Sequence, residues 1–148
     1  MAITAEAQTM FANQNMLDAI GENVPTTFDE LLSTGKKLKN DDVAGVAMRS
    51  KADGSAGTWP CGGFVFSNGG VIIEDGKCKL DSAEAIEAVH YYGTILNEAG
   101  PLGVGNYHWY ECLNDYMQEV AAIGLDSSNF ATDIENPEKS NAAGHTTY

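Results

Sequence analysis

Positive charge is what this 148-residue chain has least of. Seven lysines and a single arginine, Arg49, stand against 21 aspartates and glutamates, giving a formal net charge of −13. A nucleic-acid partner needs Lys and Arg to neutralise its phosphates, and an anionic membrane surface makes the same demand, so neither is expected. The acids are scattered along the chain, which reads as a solvated surface rather than a metal site. Cysteine is scarce as well: Cys61, Cys78 and Cys112 lie 17 and 34 residues apart, with no CxxC and no Cys/His cluster of zinc spacing. No metal and no cofactor are therefore expected. An oxidising compartment would permit one disulfide, Cys61–Cys78, leaving Cys112 over; the alternative is three small buried thiols. No run approaches the roughly 18 apolar residues of a membrane span, so no membrane insertion is expected. Met1 leads into Ala-Ile-Thr-Ala-Glu with neither a basic region nor an apolar run, so no secretory leader is read there. Catalytic signatures are missing too: there is no GxSxG elbow, no HExxH, no P-loop and no GxGxxG behind a strand. The paired acids Asp41 and Asp42 fall in a turn without an apolar pocket to raise a carboxyl pKa. An enzyme is not expected.

What is present is an alternation of strands and helices. The length suits one domain, 1–148, able to bury roughly 70% of the surface its unfolded form exposes. Ile3 to Asn13 reads as an extended segment, after which Asn13 caps a short helix through Met16, Leu17 and Ile20, stopped by Gly21. Thr27 and Glu30 form a capping box, each satisfying an orphan amide of the first turn. Phe28, Leu31, Leu32 and Leu38 follow at helical spacing, with Lys36, Lys37 and Lys39 at the negative end of the dipole. Gly35 weakens this helix by about 1 kcal/mol relative to Ala. Ala44 to Met48 is a short buried strand, and Lys51 to Thr58 a loop. Trp59 to Asn68 is apolar but broken by Pro60 and Gly62-Gly63, which leaves helix and strand both open. Val71–Ile73 and Cys78–Leu80 form a hairpin through an Asp75-Gly76 turn. A second long helix starts at Asp81 or Ser82, turns Ile86, Val89, Gly93 and Leu96 to one face, and ends before Gly100-Pro101. After a Gly-rich loop, Tyr107 to Glu119 reads as a third helix with Trp109, Cys112, Leu113, Tyr116 and Met117 inward. Val120 to Leu125 is a continuous apolar strand, Asp126 to Asn129 a helix start, and Asn136-Pro137-Glu138 one further helical turn. This order specifies an α/β domain.

The segments also resemble, in order, the second lobe of carbohydrate-class solute-binding proteins of bacterial ABC importers. Val24-Pro-Thr-Thr-Phe-Asp-Glu-Leu-Leu32 is similar to that family's "P-T-T-W-D-E-L" helix start, and Val43-Ala-Gly-Val-Ala-Met-Arg49 to its next strand. Gly57-Thr-Trp59 with Phe64-Val-Phe-Ser-Asn-Gly-Gly70 resembles "G-x-x-W … F-L-W-S-x-G-G", and Leu80-Asp-Ser-Ala-Glu-Ala-Ile86 resembles "L-N-S-P-E-A-V". Gly100-Pro-Leu-Gly103 and Tyr107-His-Trp109 resemble "G-P-x-G … Y-D-W"; Ala121-Ala-Ile-Gly-Leu-Asp-Ser127 and Asn136-Pro-Glu-Lys-Ser140 resemble "A-A-M-W-I-D-G" and "D-P-E-K-S". Each match alone is weak, but seven in order cover nearly the whole chain. They lie nearest to family members associated with sorbitol, mannitol and similar polyols or sugars. Phe11-Ala12-Asn13 departs from the usual "Y-Y-N", which removes support for a ligand role at position 12.

The resemblance implies one lobe of a two-lobed, periplasmic-binding-protein-like (type II) fold: a small mixed sheet flanked by helices, with the first lobe missing. A fragment is the expectation, a short natural protein the alternative. It also implies a sugar or polyol ligand, the ABC permease as partner, a periplasmic or extracellular location, and a cleft face whose exposure invites self-association. A protein-interaction or sensor lobe without a small ligand is the competing reading.

Sugar sites combine aromatic faces with planar polar groups that bind hydroxyls in pairs. Arg49 ends a predicted strand, where ligands of open α/β sheets sit, and the resemblance turns it toward the cleft; a surface ion pair is the rival reading. Trp59, at a loop-to-helix junction, is a stacking platform or a core or rim residue. Asp126 follows the apolar strand and is a ligand or a helix N-cap, and Ser127 and Asn129 share that choice. Glu6 and Gln8 sit at the crossover between lobes and touch ligand or hinge. Trp109, spaced with Leu113 and Tyr116, is read as core. His108 and His145 are assigned no role.

Overall fold

The computed structural model describes residues 5–53 and 58–148. The start of the extended segment at Ile3 and the part of the 51–58 loop holding Gly57 lie outside the described residues. Strand β1 spans Gln8–Asn13 and runs directly into helix α1, Gln14–Ile20. Asn13 caps it through a 3.2 Å bond from the Met16 amide, and Gly21 closes it in the left-handed region at φ 70°. Helix α2 spans Phe28–Leu38 and strand β2 Ala44–Met48. The cap of α2 is a variant of the predicted box: Thr27 Oγ1 accepts from the Glu30 amide, but the Glu30 carboxylate reaches back to Thr26, whose amide and hydroxyl donate at 2.7 and 2.8 Å.

The ambiguous apolar stretch is helix α3, Thr58–Ser67. The hairpin that follows is shorter than its sequence suggests, with β3 at Ile73–Glu74 and β4 at Lys77–Cys78. Asp75 and Gly76 both take positive φ in its turn, at 51° and 72°, as a two-residue turn matched to strand twist requires. Helix α4, Ala83–Ala99, is capped by Ser82; helix α5, Trp109–Met117, by His108; strand β5 spans Ala121–Ser127. A 3-10 turn at Ser128–Phe130 leads into α6, Ala131–Ile134, and β6 is Thr146–Thr147. Asn136 to Ser140 forms one turn, with the Lys139 and Ser140 amides on the Asn136 carbonyl.

The main sheet has the order β2-β5-β1-β6 and is mixed: β2 and β5 are parallel, while β1 is antiparallel to both β5 and β6. Helices α2, α3 and α4 cover one face, where Val46, Met48 and Ile123 meet Leu31, Leu38, Phe64, Ile95 and Leu96. Helix α5 covers the other, where Phe11 packs edge-on to Tyr116, centroids 4.7 Å apart. Burial on both faces explains why β2 and β5 read as continuous apolar runs rather than alternating ones.

Three expectations are corrected. The buried stripe of α4 is Ala85, Ala88, Ile95, Leu96 and Ala99, while Ile86 and Val89 are exposed. Alanines let α4 settle close to α2 and α3, so contact distance rather than side-chain size selects the inner face. Gly35 is no mere weak point: a Cβ there would come within 2.7 Å of Val46 Cγ2 and 2.9 Å of Ala99 Cβ, and one on Gly45 within 2.7 Å of the Gly35 Cα. The two glycines allow α2 to lie against β2. Trp109 is 42% exposed rather than core. It occupies the first residue of α5, a turn before the buried Cys112 and Leu113, and leans on Phe130 with ring centroids 5.8 Å apart.

The thiols of Cys61, Cys78 and Cys112 are free: Cys112 is buried, Cys61 partly buried and Cys78 exposed on the hairpin. The Cys61–Cys78 disulfide is thus not formed, and neither does the alternative of three buried thiols hold. Among the described residues, no group of three or more His, Cys, Asp and Glu could hold a metal ion, and no helix is long and apolar enough to cross a membrane.

Candidate functional site

Because β2 and β5 run parallel with Met48 opposite Leu125, the next residues of each, Arg49 and Asp126, emerge side by side at the carboxyl edge of the sheet. Their side chains meet as two planar forks. Arg49 Nε donates to Asp126 Oδ2 at 2.7 Å and Nη2 to Oδ1 at 2.5 Å, the bidentate geometry that makes such pairs strong. Asp126 has no exposed side-chain surface and Arg49 retains 15%. Burial works against the guanidinium charge, but the hydrogen bonds and charge of Asp126 outweigh it and hold the Arg49 pKa above its ordinary value. The Arg49 Cζ lies 4.8 Å from the centroid of the Trp59 indole, within cation–π range. From behind, the Tyr92 hydroxyl donates to the Arg49 carbonyl oxygen. Burial raises the Tyr92 pKa, so the phenol remains a donor.

A second chain of bonds runs along the same edge. The Ser127 hydroxyl donates to Glu6 Oε2, which also accepts from Asn129 Nδ2 at 3.4 Å. Ser127 Oγ accepts in turn from the Asn129 amide at 3.2 Å, while the Ser127 amide donates to Asp126 Oδ1 at 2.7 Å. Ala7 and Ser128 close the group: the Ala7 amide donates to Ser128 Oγ and the Ser128 amide to the Ala7 carbonyl. The segment before β1 is in this way zipped to the end of β5.

The structure therefore gathers all six predicted residues, Glu6, Arg49, Trp59, Asp126, Ser127 and Asn129, at one edge. Their parts differ from the sequence reading in one respect. Asp126 is not a helix cap, because β5 continues through Ser127 and it is Ser127 that caps the next turn. With both oxygens on Arg49, Asp126 acts by aiming the guanidinium. The ion-pair reading of Arg49 is also realised, but between two candidate residues, with Asp126 buried and Arg49 partly exposed. His108, unassigned from sequence, is the cap of α5: its Nδ1 accepts from the Trp109 amide and its own amide donates to Glu111 Oε2. Tyr92 also serves this site, and its one sequence signal is that it falls on the helix face shared by Ala85, Ala88 and Leu96.

Two hollows lie beside this edge rather than on it. One of about 470 Å³ opens between Met10, Thr26, Phe28, Asp29, Glu87 and Tyr91. The other, about 140 Å³, reaches from Met10 and Phe28 to Gln8 and Gly63. Neither includes Arg49, Trp59 or Asp126 in its walls. The candidate polar and aromatic groups thus lie on the edge itself, outside both hollows.

The family model of bacterial extracellular solute-binding proteins matches residues 2–147. Among solved structures, the chain superimposes on an ABC-transporter solute-binding protein of Agrobacterium vitis with bound D-mannitol (TM-score 0.90, 20% identity), covering 96% of this chain and 35% of that one. A counterpart from Agrobacterium radiobacter in complex with ribitol gives a TM-score of 0.88 and 27% identity, covering 96% and 36%. A maltose-bound protein of T. maritima gives 0.86 and 20%, covering 96% and 37%. The chain spans little more than a third of the length of these proteins, and its fold is that of one lobe of their two-lobed architecture.

Proposed function

As this chain belongs to the bacterial extracellular solute-binding proteins, with nearly all of its length matched, we propose that it recognises a sugar or polyol as one lobe of the substrate-binding component of an ABC importer. The observation that carries this reading is the Arg49 guanidinium, forked by Asp126 and laid against Trp59 at the carboxyl edge of two parallel strands. The fork consumes Nε–H and one N–H of Nη2, so the remaining N–H groups can donate to vicinal hydroxyls without losing their partner. Trp59 supplies an aromatic surface for the apolar side of the sugar, and Glu6, Ser127 and Asn129 a polar rim that donates and accepts. The mannitol and ribitol in two of the similar proteins support a ligand of this class.

The chain, 1–148, acts as a single domain in this reading, with the first lobe supplying the opposite wall. Sugar docks on one lobe, and hinge closure buries it between both. The closed form is then presented to the permease subunits in the periplasm or outside the cell. Membership of a binding family supports recognition rather than catalysis. A complete site binding at about 1 μM, roughly −8 kcal/mol, would leave about −4 kcal/mol for half its contacts, a dissociation constant near the millimolar range.

The test is an NMR titration of the labelled chain with a panel of hexitols, pentitols and hexoses, carried well above about 1 mM. Shifts that saturate for some members only, and cluster at Arg49, Trp59 and Asp126, are expected. Flat spectra across the panel would overturn direct recognition by this lobe and favour a protein-interaction role for the same edge.

A further inference from the structure

We propose that Gln8 is the positioning residue for Trp59, tying the first turn of α3 to β1 so that the indole stays under Arg49; this rests on the reading of Trp59 as part of the ligand face. The Gln8 Nε2 donates to the Trp59 carbonyl oxygen, 51 residues away in sequence. The carboxamide can reach it because Gly63 has no side chain: a Cβ there would fall inside the Gln8 amide, 2.6 Å from its Cδ and 3.0 Å from its Nε2. The Gly62-Gly63 pair that made this stretch ambiguous thus leaves the path along which Gln8 crosses the helix.

Helix α3 needs such a tie. It carries Pro60 and two glycines within its first six residues, and glycine is among the weakest helix formers. Its first turn holds the indole that lies against the Arg49 guanidinium. At its other end Gln8 is anchored in register opposite Ser127, next to the Glu6–Ser127 bond. One side chain therefore links the strand zipped to β5 with the platform facing the guanidinium. A displacement of the segment around Glu6 would carry the indole with it.

The experiment uses the full chain with Trp109→Phe, which leaves Trp59 as the sole tryptophan. Emission maximum and acrylamide quenching of Trp59 are compared in Gln8→Ala, Gln8→Glu and Gly63→Ala, each shown folded by far-UV circular dichroism. Gln8→Glu keeps the length of the side chain but has no N–H to donate, and Gly63→Ala evicts the carboxamide while leaving Gln8 intact. All three should shift the emission to the red and raise quenching toward that of free indole, with Gln8→Ala adding little once Gly63→Ala is present. Unchanged emission and quenching in Gln8→Ala and Gly63→Ala would overturn the proposal, and so would a Gln8→Glu variant indistinguishable from the parent. A sugar that shifts the parent spectrum should bind the variants about fivefold more weakly, the worth of one neutral hydrogen bond. The fluorescence readout needs no sugar, so absence of sugar binding would count against the ligand reading without deciding the role of Gln8.

Discussion

Asp126 is wholly enclosed, and Arg49 nearly so. Replacing Asp126 with Asn would keep the shape, remove the charge, and set an NH2 group against a guanidinium that has only donors to offer. Breaking a buried pair by removing one partner costs about 3–5 kcal/mol, and Asp126→Asn should lose stability of that order in urea unfolding. A loss below about 1 kcal/mol would mean the pair is solvated like a surface bridge. A second test concerns Gly35. Helix propensity alone makes Gly35→Ala stabilising by about 1 kcal/mol, whereas the contacts to Val46 and Ala99 make it overpacked, at a cost of about 1–3 kcal/mol. The steric term should win, with a lower melting temperature; a higher one would show that β2 can retreat.

Elements were most legible where their ends carry chemistry. Asn13, Gly21, Thr27 and Ser82 mark helix boundaries that the structure reproduces, because each supplies a cap whose partner is within a few residues. The box at α2 has a pH signature. The amide and hydroxyl of Thr26 hold the Glu30 carboxyl below its ordinary value. A carboxyl depressed in the folded state stabilises above its unfolded pKa, and that stabilisation is lost as pH falls through the folded one. Glu30→Gln should accordingly flatten the decline in stability between about pH 5 and pH 3, followed by thermal melts across that range. Reach set the limit of the sequence reading. Nothing local says that Ala85 and Ala88 rather than Ile86 and Val89 turn inward, since that depends on how closely α2 and α3 approach. The same holds for Trp109, which keeps the helical period of the core yet lies at the helix end. Within the candidate site the residue types and the strand ends were readable. That Arg49 and Asp126 would clasp each other required the β2–β5 register, and the links from Gln8 and Tyr92 span 51 and 43 residues.

Across the whole molecule, all six tyrosines have pKa values raised above the ordinary phenol. For Tyr91 and Tyr110 a hydrogen bond to Asp29 and Glu111 leads; for Tyr116, pushed up to about 12, burial does. A phenol raised in the folded state contributes stability that is fully present below its unfolded pKa and lost as pH rises through the folded value. Phenolate absorbance should therefore grow together with loss of circular dichroism, between about pH 10 and pH 12. Full ionisation by about pH 10.5 with the fold intact would contradict this packing. The placement of β1 beside β6 has a mechanical consequence. The two strands are antiparallel, so the leading end of one and the trailing end of the other point the same way. Tension that draws those ends apart loads the β1–β6 ladder in peeling rather than shear. Its two pairs, Ala12–Thr147 and Asn13–Thr146, are backed by the Gln14 amide on the His145 carbonyl, by Thr147 Oγ1 on Gln14 Oε1 and by Tyr116 on Thr146. The same pull reaches the five-pair seam between β1 and β5 at its Gln8–Ser127 end, where the Ala7–Ser128 bonds reinforce it. Under force, the two-pair ladder of β1 with β6 gives way before the five-pair seam of β1 with β5.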